Sequence, residues 1–165
     1  MSLISQVSRL AGMLGAVLLA ATGAMLTYEV VARYFFTRPT IWAAELSQLC
    51  LIWGCLLAMA HVLALRHHIT VNAVTGLLPR PVQRACVAFA LVFVLIFSLI
   101  VTWYGWDIFH ESWVRGRTTG SILNLPAWVA ELSVPVGFAL LSLQALAELA
   151  GLRDGTTVTL GSSHE

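Results

Sequence analysis

The chain has 165 residues, 59% of them apolar and only 10% charged, with a mean hydropathy of +0.86. That leaves too little charge to cover the outside of a soluble domain of this size. Net charge is +1, carried by nine arginines and no lysine, which excludes the basic stripe that nucleic-acid binding requires. Cys50, Cys55 and Cys86 sit inside apolar runs without metal-ligand spacing and read as small packing residues, so no metal, redox or other cofactor site is expected.

In chain order, the first uncharged run is Leu10 to Tyr28, 19 residues, and about 20 apolar residues make one bilayer-spanning helix. Helix 1 is predicted over about 10–34. A cleaved secretory leader is its rival reading, with "ATGA" at 21–24 resembling a cleavage site. The run is long for a leader, and Arg9 is the sole basic residue before it. The link "FFTRPT" (35–40) reads as a tight turn ended by Pro39. Helix 2 is predicted over about 41–65, with 20 uncharged residues from Leu46 to Leu65.

The first long connection, "RHHITVNAVTGLLPRPVQR" (66–84), places Val71, Val74 and Leu78 on one helical face opposite Thr70 and Thr75. A short amphipathic surface helix fits this spacing, and so does an ordinary polar loop. Helix 3 is expected over about 82–106, followed by a second long link from Asp107 to Leu125. Helix 4 is expected over about 126–149, with Pro126 suited to its first turn and Pro135 expected to bend it. The Gly/Ser-rich tail, 151–165, is expected to be disordered.

The fold class is therefore an all-α membrane protein of four transmembrane helices, because backbone groups in lipid must be bonded within the segment. An even number of spans puts both termini on one side. With the N-terminus cytoplasmic, Arg9, Arg66, Arg80, Arg84 and Arg153 lie inside and Arg33, Arg38, Arg115 and Arg117 outside. Five against four favours that orientation by a single charge. Trp42 and the aromatics around the second link, Trp103, Tyr104, Trp106, Trp113 and Trp128, gather at the outer end, where an aromatic belt would sit.

Glu45 is the conspicuous residue, one turn into helix 2 after Trp42. An ionised carboxylate costs about 2.5–3.5 kcal/mol at the bilayer centre and less near its edge. Arg33 stands at a similar depth on the neighbouring helix. A Glu45–Arg33 pair is one reading, with Glu29 able to share Arg33 at the i, i+4 spacing; snorkelling of both charges to headgroups is the other. At 100° per residue, Trp42, Glu45, Leu49, Ile52 and Leu56 share one face of helix 2. The opposite face holds Ala43, Ser47, Cys50, Gly54, Ala58 and His61, small enough for close helix packing. Gly12, Ala16, Ala20 and Ala24 offer a matching stripe on helix 1. The small faces are expected to hold the helices together, leaving the Trp42–Glu45 face for a partner. Only His61 of the histidines lies in a span, which is too few for a membrane cytochrome. No paired acids, metal cluster or nucleophile with a base appears, so an enzyme is not expected.

Taken together these pieces resemble the small membrane subunit (DctQ-like) of tripartite ATP-independent periplasmic (TRAP) transporters. The resemblance covers residues 10–150. It rests on "ARYFFTRPTIWAAEL" with Arg33, Trp42 and Glu45, then Trp53, then "RHHITVNAVTGLLP" with Arg66 and His68, and on "LNLPAWVAELSVPVGFALLSLQAL" with Pro126 and Trp128. One departure is Asn72, where the family usually carries an acidic residue. The resemblance implies a non-catalytic subunit in the bacterial inner membrane that braces a large, sodium-driven elevator subunit. Uptake would be of an organic acid delivered by a periplasmic binding protein. It makes Arg33, Trp42, Glu45, Trp53, Arg66, His68 and Trp128 candidates for the subunit interface, and the chain's ending at Glu165 gives the expectation that the large subunit is a separate polypeptide. A stand-alone small transporter or channel, and a membrane anchor of a redox enzyme, are the alternatives.

Overall fold

The computed structural model describes residues 3–37, 40–66, 80–121 and 123–153. They form four long helices: α1 (Leu3–Phe36), α2 (Ile41–Arg66), α3 (Arg80–Arg115) and α4 (Ala127–Arg153). Each is long and apolar enough to cross a membrane. The expected surface helix, with His68, lies outside the described residues, as does the tail from 154 onward. The helices stand side by side in the order α1, α2, α4, α3, with broad contacts between neighbours and only a slight one between α1 and α4. Only 11–33% of the residues in each spanning window are buried within the chain, so this is an open row with two broad faces.

Lipid tails are as apolar as leucine, so close backbone packing holds such a row together in place of the hydrophobic effect. At the α1–α2 seam a Cβ on Gly15 would meet the Gly54 carbonyl oxygen at 2.7 Å and Ala58 at 3.2 Å. Gly12 lies under the His61 ring, and the Thr22 hydroxyl reaches the Ser47 carbonyl at 3.3 Å. The small face of helix 2 is used as expected. On α1, however, the buried line is Ser8, Ala11, Gly12, Gly15, Thr22, Glu29 and Ala32, whereas Ala16, Ala20 and Ala24 are exposed. Gly15 sets that rotation, because the closest backbone approach falls where neither helix has a side chain.

At the α2–α4 seam Gly137 rests on the backbone of Leu56, where an added Cβ would meet the Leu56 Cβ at 2.7 Å and its carbonyl oxygen at 3.0 Å. The α3–α4 seam uses a seven-residue step along α3: Leu91, Ser98, Gly105 and Ser112 are all buried. The ring of Pro135 lodges against Gly105, and α4 continues through this proline as one helix. Four of the buried serines need no partner across these seams, whereas the buried hydroxyls of Ser8 and Ser112 have none at all among the described residues. Ser47, Ser98, Ser133 and Ser142 each donate to a carbonyl three residues earlier in their own helix, which leaves them as small, self-satisfied packing groups.

α3 extends nine residues beyond its expected end at 106, so most of the charged half of the second link is helix. Its 36 residues span about 54 Å at 1.5 Å per residue, against about 30 Å of hydrocarbon. The charges there mark the exit from lipid, and the helix carries on, helped by the Glu111–Arg115 pair at 2.7 Å. Gly116, at φ 59°, then ends it. Its N–H donates to the Trp113 carbonyl and that of Arg117 to the Ser112 carbonyl, the Schellman pattern that a left-handed glycine allows.

Candidate functional site

The remaining link, 116–126, is a tight hairpin. The Thr119 N–H donates to the Leu125 carbonyl at 2.9 Å, the Ala127 N–H to the Arg117 carbonyl at 3.0 Å, and the Asn124 N–H to the Ser121 carbonyl at 3.0 Å. Gly120 and Asn124 supply the positive φ angles that the reversal needs. This hairpin folds back over the start of α2, and Glu45 holds it there. The Ser121 hydroxyl donates to Glu45 Oε2 at 2.7 Å, and the Leu123 N–H points to Oε1 at a longer 3.5 Å. Ser121 is shared in turn with the Thr119 hydroxyl at 2.7 Å.

Beside this anchor lies a cleft of about 390 Å³ between α2, α4 and the hairpin. Glu45, Gln48, Thr119 and Ser121 supply its polar groups, while Leu49, Ile52, Leu125, Pro126, Val129 and Ala130 supply the apolar wall. Thus from Glu45 to Leu56 the face of α2 expected to stay free looks onto α4 and the hairpin and is half-buried, with the cleft open between them. Helix periodicity identifies a distinct face but not what covers it.

The Glu45–Arg33 pair does not form. Arg33 instead bonds Glu29 on its own helix, with the Glu29 side chain buried and that of Arg33 59% exposed. The i, i+4 partner wins because it needs no reach across the seam. Trp42 leaves the Glu45 face and stacks on Tyr28 of α1, ring centroids 6.1 Å apart; both rings stay substantially exposed. Trp53 turns inward, its indole N–H donating to the Val129 carbonyl at 3.0 Å. Replacing Trp53 with phenylalanine is expected to cost about 1 kcal/mol through loss of this bond, read as a lower midpoint of thermal unfolding. An unchanged midpoint would show that the bond contributes nothing.

Trp128 packs edge-on against Trp113 at 4.7 Å and Phe109 at 6.4 Å, and Trp106 extends the cluster through Phe109. Trp106, Phe109, Trp113 and Trp128 therefore form one cluster that ties the protruding end of α3 to the first turn of α4, whereas Trp103 of the expected belt stands exposed. Arg66 is the last residue of α2, at the opposite end of the row from Arg33, Trp42 and Glu45. Sequence reading missed Ser121 and the Leu123 N–H as partners of Glu45, and no local signal could have revealed a contact 76 residues away.

Comparison with known proteins agrees with this architecture. The family model for the DctQ component of tripartite ATP-independent periplasmic transporters matches residues 22–155. The chain is 26% identical over 141 residues to the isethionate TRAP transporter permease protein DctMQ of Oleidesulfovibrio alaskensis, covering 86% of this chain and 22% of that protein. It is 28% identical over 96 residues to the sialic acid TRAP transporter permease protein SiaT of Haemophilus influenzae, covering 57% of this chain and 16% of that protein. The chain thus spans about a fifth or less of the length of the curated relatives it matches. With four helices long and apolar enough to span a membrane and a family match over most of its length, this chain belongs to the DctQ component family of the TRAP transporters.

Proposed function

We propose that the chain is a brace: a small subunit that binds no solute and docks beside the large, solute-carrying elevator subunit of a sodium-driven TRAP transporter. The observation that carries this reading is the open row. A transporter must enclose its solute between helices, whereas α1, α2, α4 and α3 stand as a wall whose spanning residues are mostly unburied within the chain. The relatives are named for sialic acid and isethionate, which supports an organic acid as the solute, delivered by a periplasmic binding protein. The chain would lie in the bacterial inner membrane, its termini cytoplasmic and the hairpin outside.

Docking would use the exposed edge where α1 meets α2, with Trp42 stacked on Tyr28 and Arg33 beside it, and Arg66 and His68 at the cytoplasmic end. Glu45 would act through the hairpin it holds, with Trp53 and Trp128 shaping the surface from within. The test is co-purification of the two membrane subunits together with uptake by whole cells. Trp42→Ala combined with Arg33→Ala is expected to reduce both at least tenfold, on the order of two interface anchors lost, while a Glu45→Leu chain loosens the pair less. Full co-purification and uptake by the double variant would refute docking at this edge.

A further inference from the structure

The Glu45 cleft is a site in its own right. Its carboxylate is fixed by one hydroxyl and one backbone N–H, both neutral donors, so among the described residues its charge is oriented without being cancelled. Among the described arginines Arg33 is engaged by Glu29 and Arg115 by Glu111, and Arg117, on the hairpin itself, forms no ion pair with Glu45 but is bonded there through its backbone. A preset carboxylate at the edge of a half-apolar cleft attracts a cation that can also donate hydrogen bonds.

The walls say what carries that cation. Polar groups gather at the hairpin end, where Glu45, Thr119 and Ser121 meet. The apolar strip runs deeper, through Leu49 and Ile52 one and two turns further along α2, against Val129 and Ala130. The polar end lies beside the aromatic belt, at headgroup depth. An ammonium above a hydrocarbon chain matches both ends. A basic side chain from a neighbouring protein would satisfy Glu45 and leave the Leu49–Ile52 strip unfilled.

We propose that this cleft binds an aminophospholipid of the phosphatidylethanolamine type, its primary ammonium on Glu45 and the first part of one acyl chain along Leu49, Ile52 and Ala130. The reading is independent of where the large subunit docks.

Native mass spectrometry on the protein purified in mild detergent, with whatever subunit accompanies it, tests this using dioleoyl-phosphatidylethanolamine and dioleoyl-phosphatidylcholine at equal concentration. Both headgroups are cationic but choline cannot donate hydrogen bonds, so the first ethanolamine lipid is expected to bind about fivefold tighter, the scale of one net hydrogen bond to Glu45. Glu45→Gln keeps an acceptor for Ser121, and therefore the hairpin, but removes the charge; the ratio should fall to about one. A photo-crosslinking residue placed at Gln48 should then yield an adduct of lipid mass. Equal binding of the two lipids, an unchanged ratio in Glu45→Gln, or a crosslink to a polypeptide would each overturn the proposal.

Discussion

Replacing Gly137 with leucine is expected to part α4 from α2 and to give the largest loss of stability of any single change in the membrane-spanning region. A Cβ alone would sit 2.7 Å from the Leu56 Cβ and 3.0 Å from its carbonyl oxygen. The second of these is backbone, so no rotamer change relieves it and the helices must move apart. Overpacking of a tight seam costs about 1–3 kcal/mol, and here the separation also strips contacts along the rest of the seam, which is what holds membrane helices together. Gly15→Leu should behave similarly, since the Gly54 carbonyl lies 2.7 Å from the added carbon. Gly23→Leu, on the same helix with nothing within 4 Å, is the control and should leave the protein unaffected or slightly more stable. The midpoint of unfolding in a graded detergent series measures all three. A Gly137→Leu chain as stable as the Gly23→Leu chain would refute the seam assignment.

The contrast between those glycines shows what the sequence could and could not reveal. Spans are legible because lipid demands a fixed length of apolar residues, and each of the four predicted spans became a helix. Helix ends are not, because hydropathy reports where lipid stops. Asp107, His110, Glu111 and Arg115 looked like a link, yet water supports a helix well when Glu111 and Arg115 are four apart. The better signal was Gly116, whose lack of a side chain permits the left-handed cap. Small residues on helix 2 announced a seam, and Gly54 with Ala58 forms it. On α1 the choice between Gly15 and the Ala16–Ala20–Ala24 stripe turned on a rotation of one residue, which only the partner helix decides. Glu45 was conspicuous from composition alone, but its partners lie across a chain reversal that no local pattern encodes.

Those partners lead to the second large effect. Removing the Glu45 carboxylate as Glu45→Ala should free the hairpin from α2 without unfolding it. A hydrogen bond to a charged group contributes about 1.5–3 kcal/mol, and Ser121 supplies the short one at 2.7 Å. The 3.5 Å approach of the Leu123 N–H is weaker. The hairpin's own bonds, Thr119 to Leu125 and Ala127 to Arg117, do not involve Glu45, so its shape should survive while its attachment is lost. Hydrogen exchange separates the two: the Leu123 amide should exchange about tenfold faster in Glu45→Ala, the factor corresponding to about 1.4 kcal/mol, with the Thr119 and Ala127 amides unchanged. Ser121→Ala should give a smaller loss, and the double variant little beyond Glu45→Ala alone, because both changes remove the same bond. If Ser121→Ala and Glu45→Ala instead added fully, the two residues would be acting independently. If the Thr119 and Ala127 amides also lost protection, Glu45 would be folding the hairpin as well as holding it. In either case the lone acid of α2 would need a different explanation, since an anchored carboxylate beside the belt is what makes its partial burial tolerable.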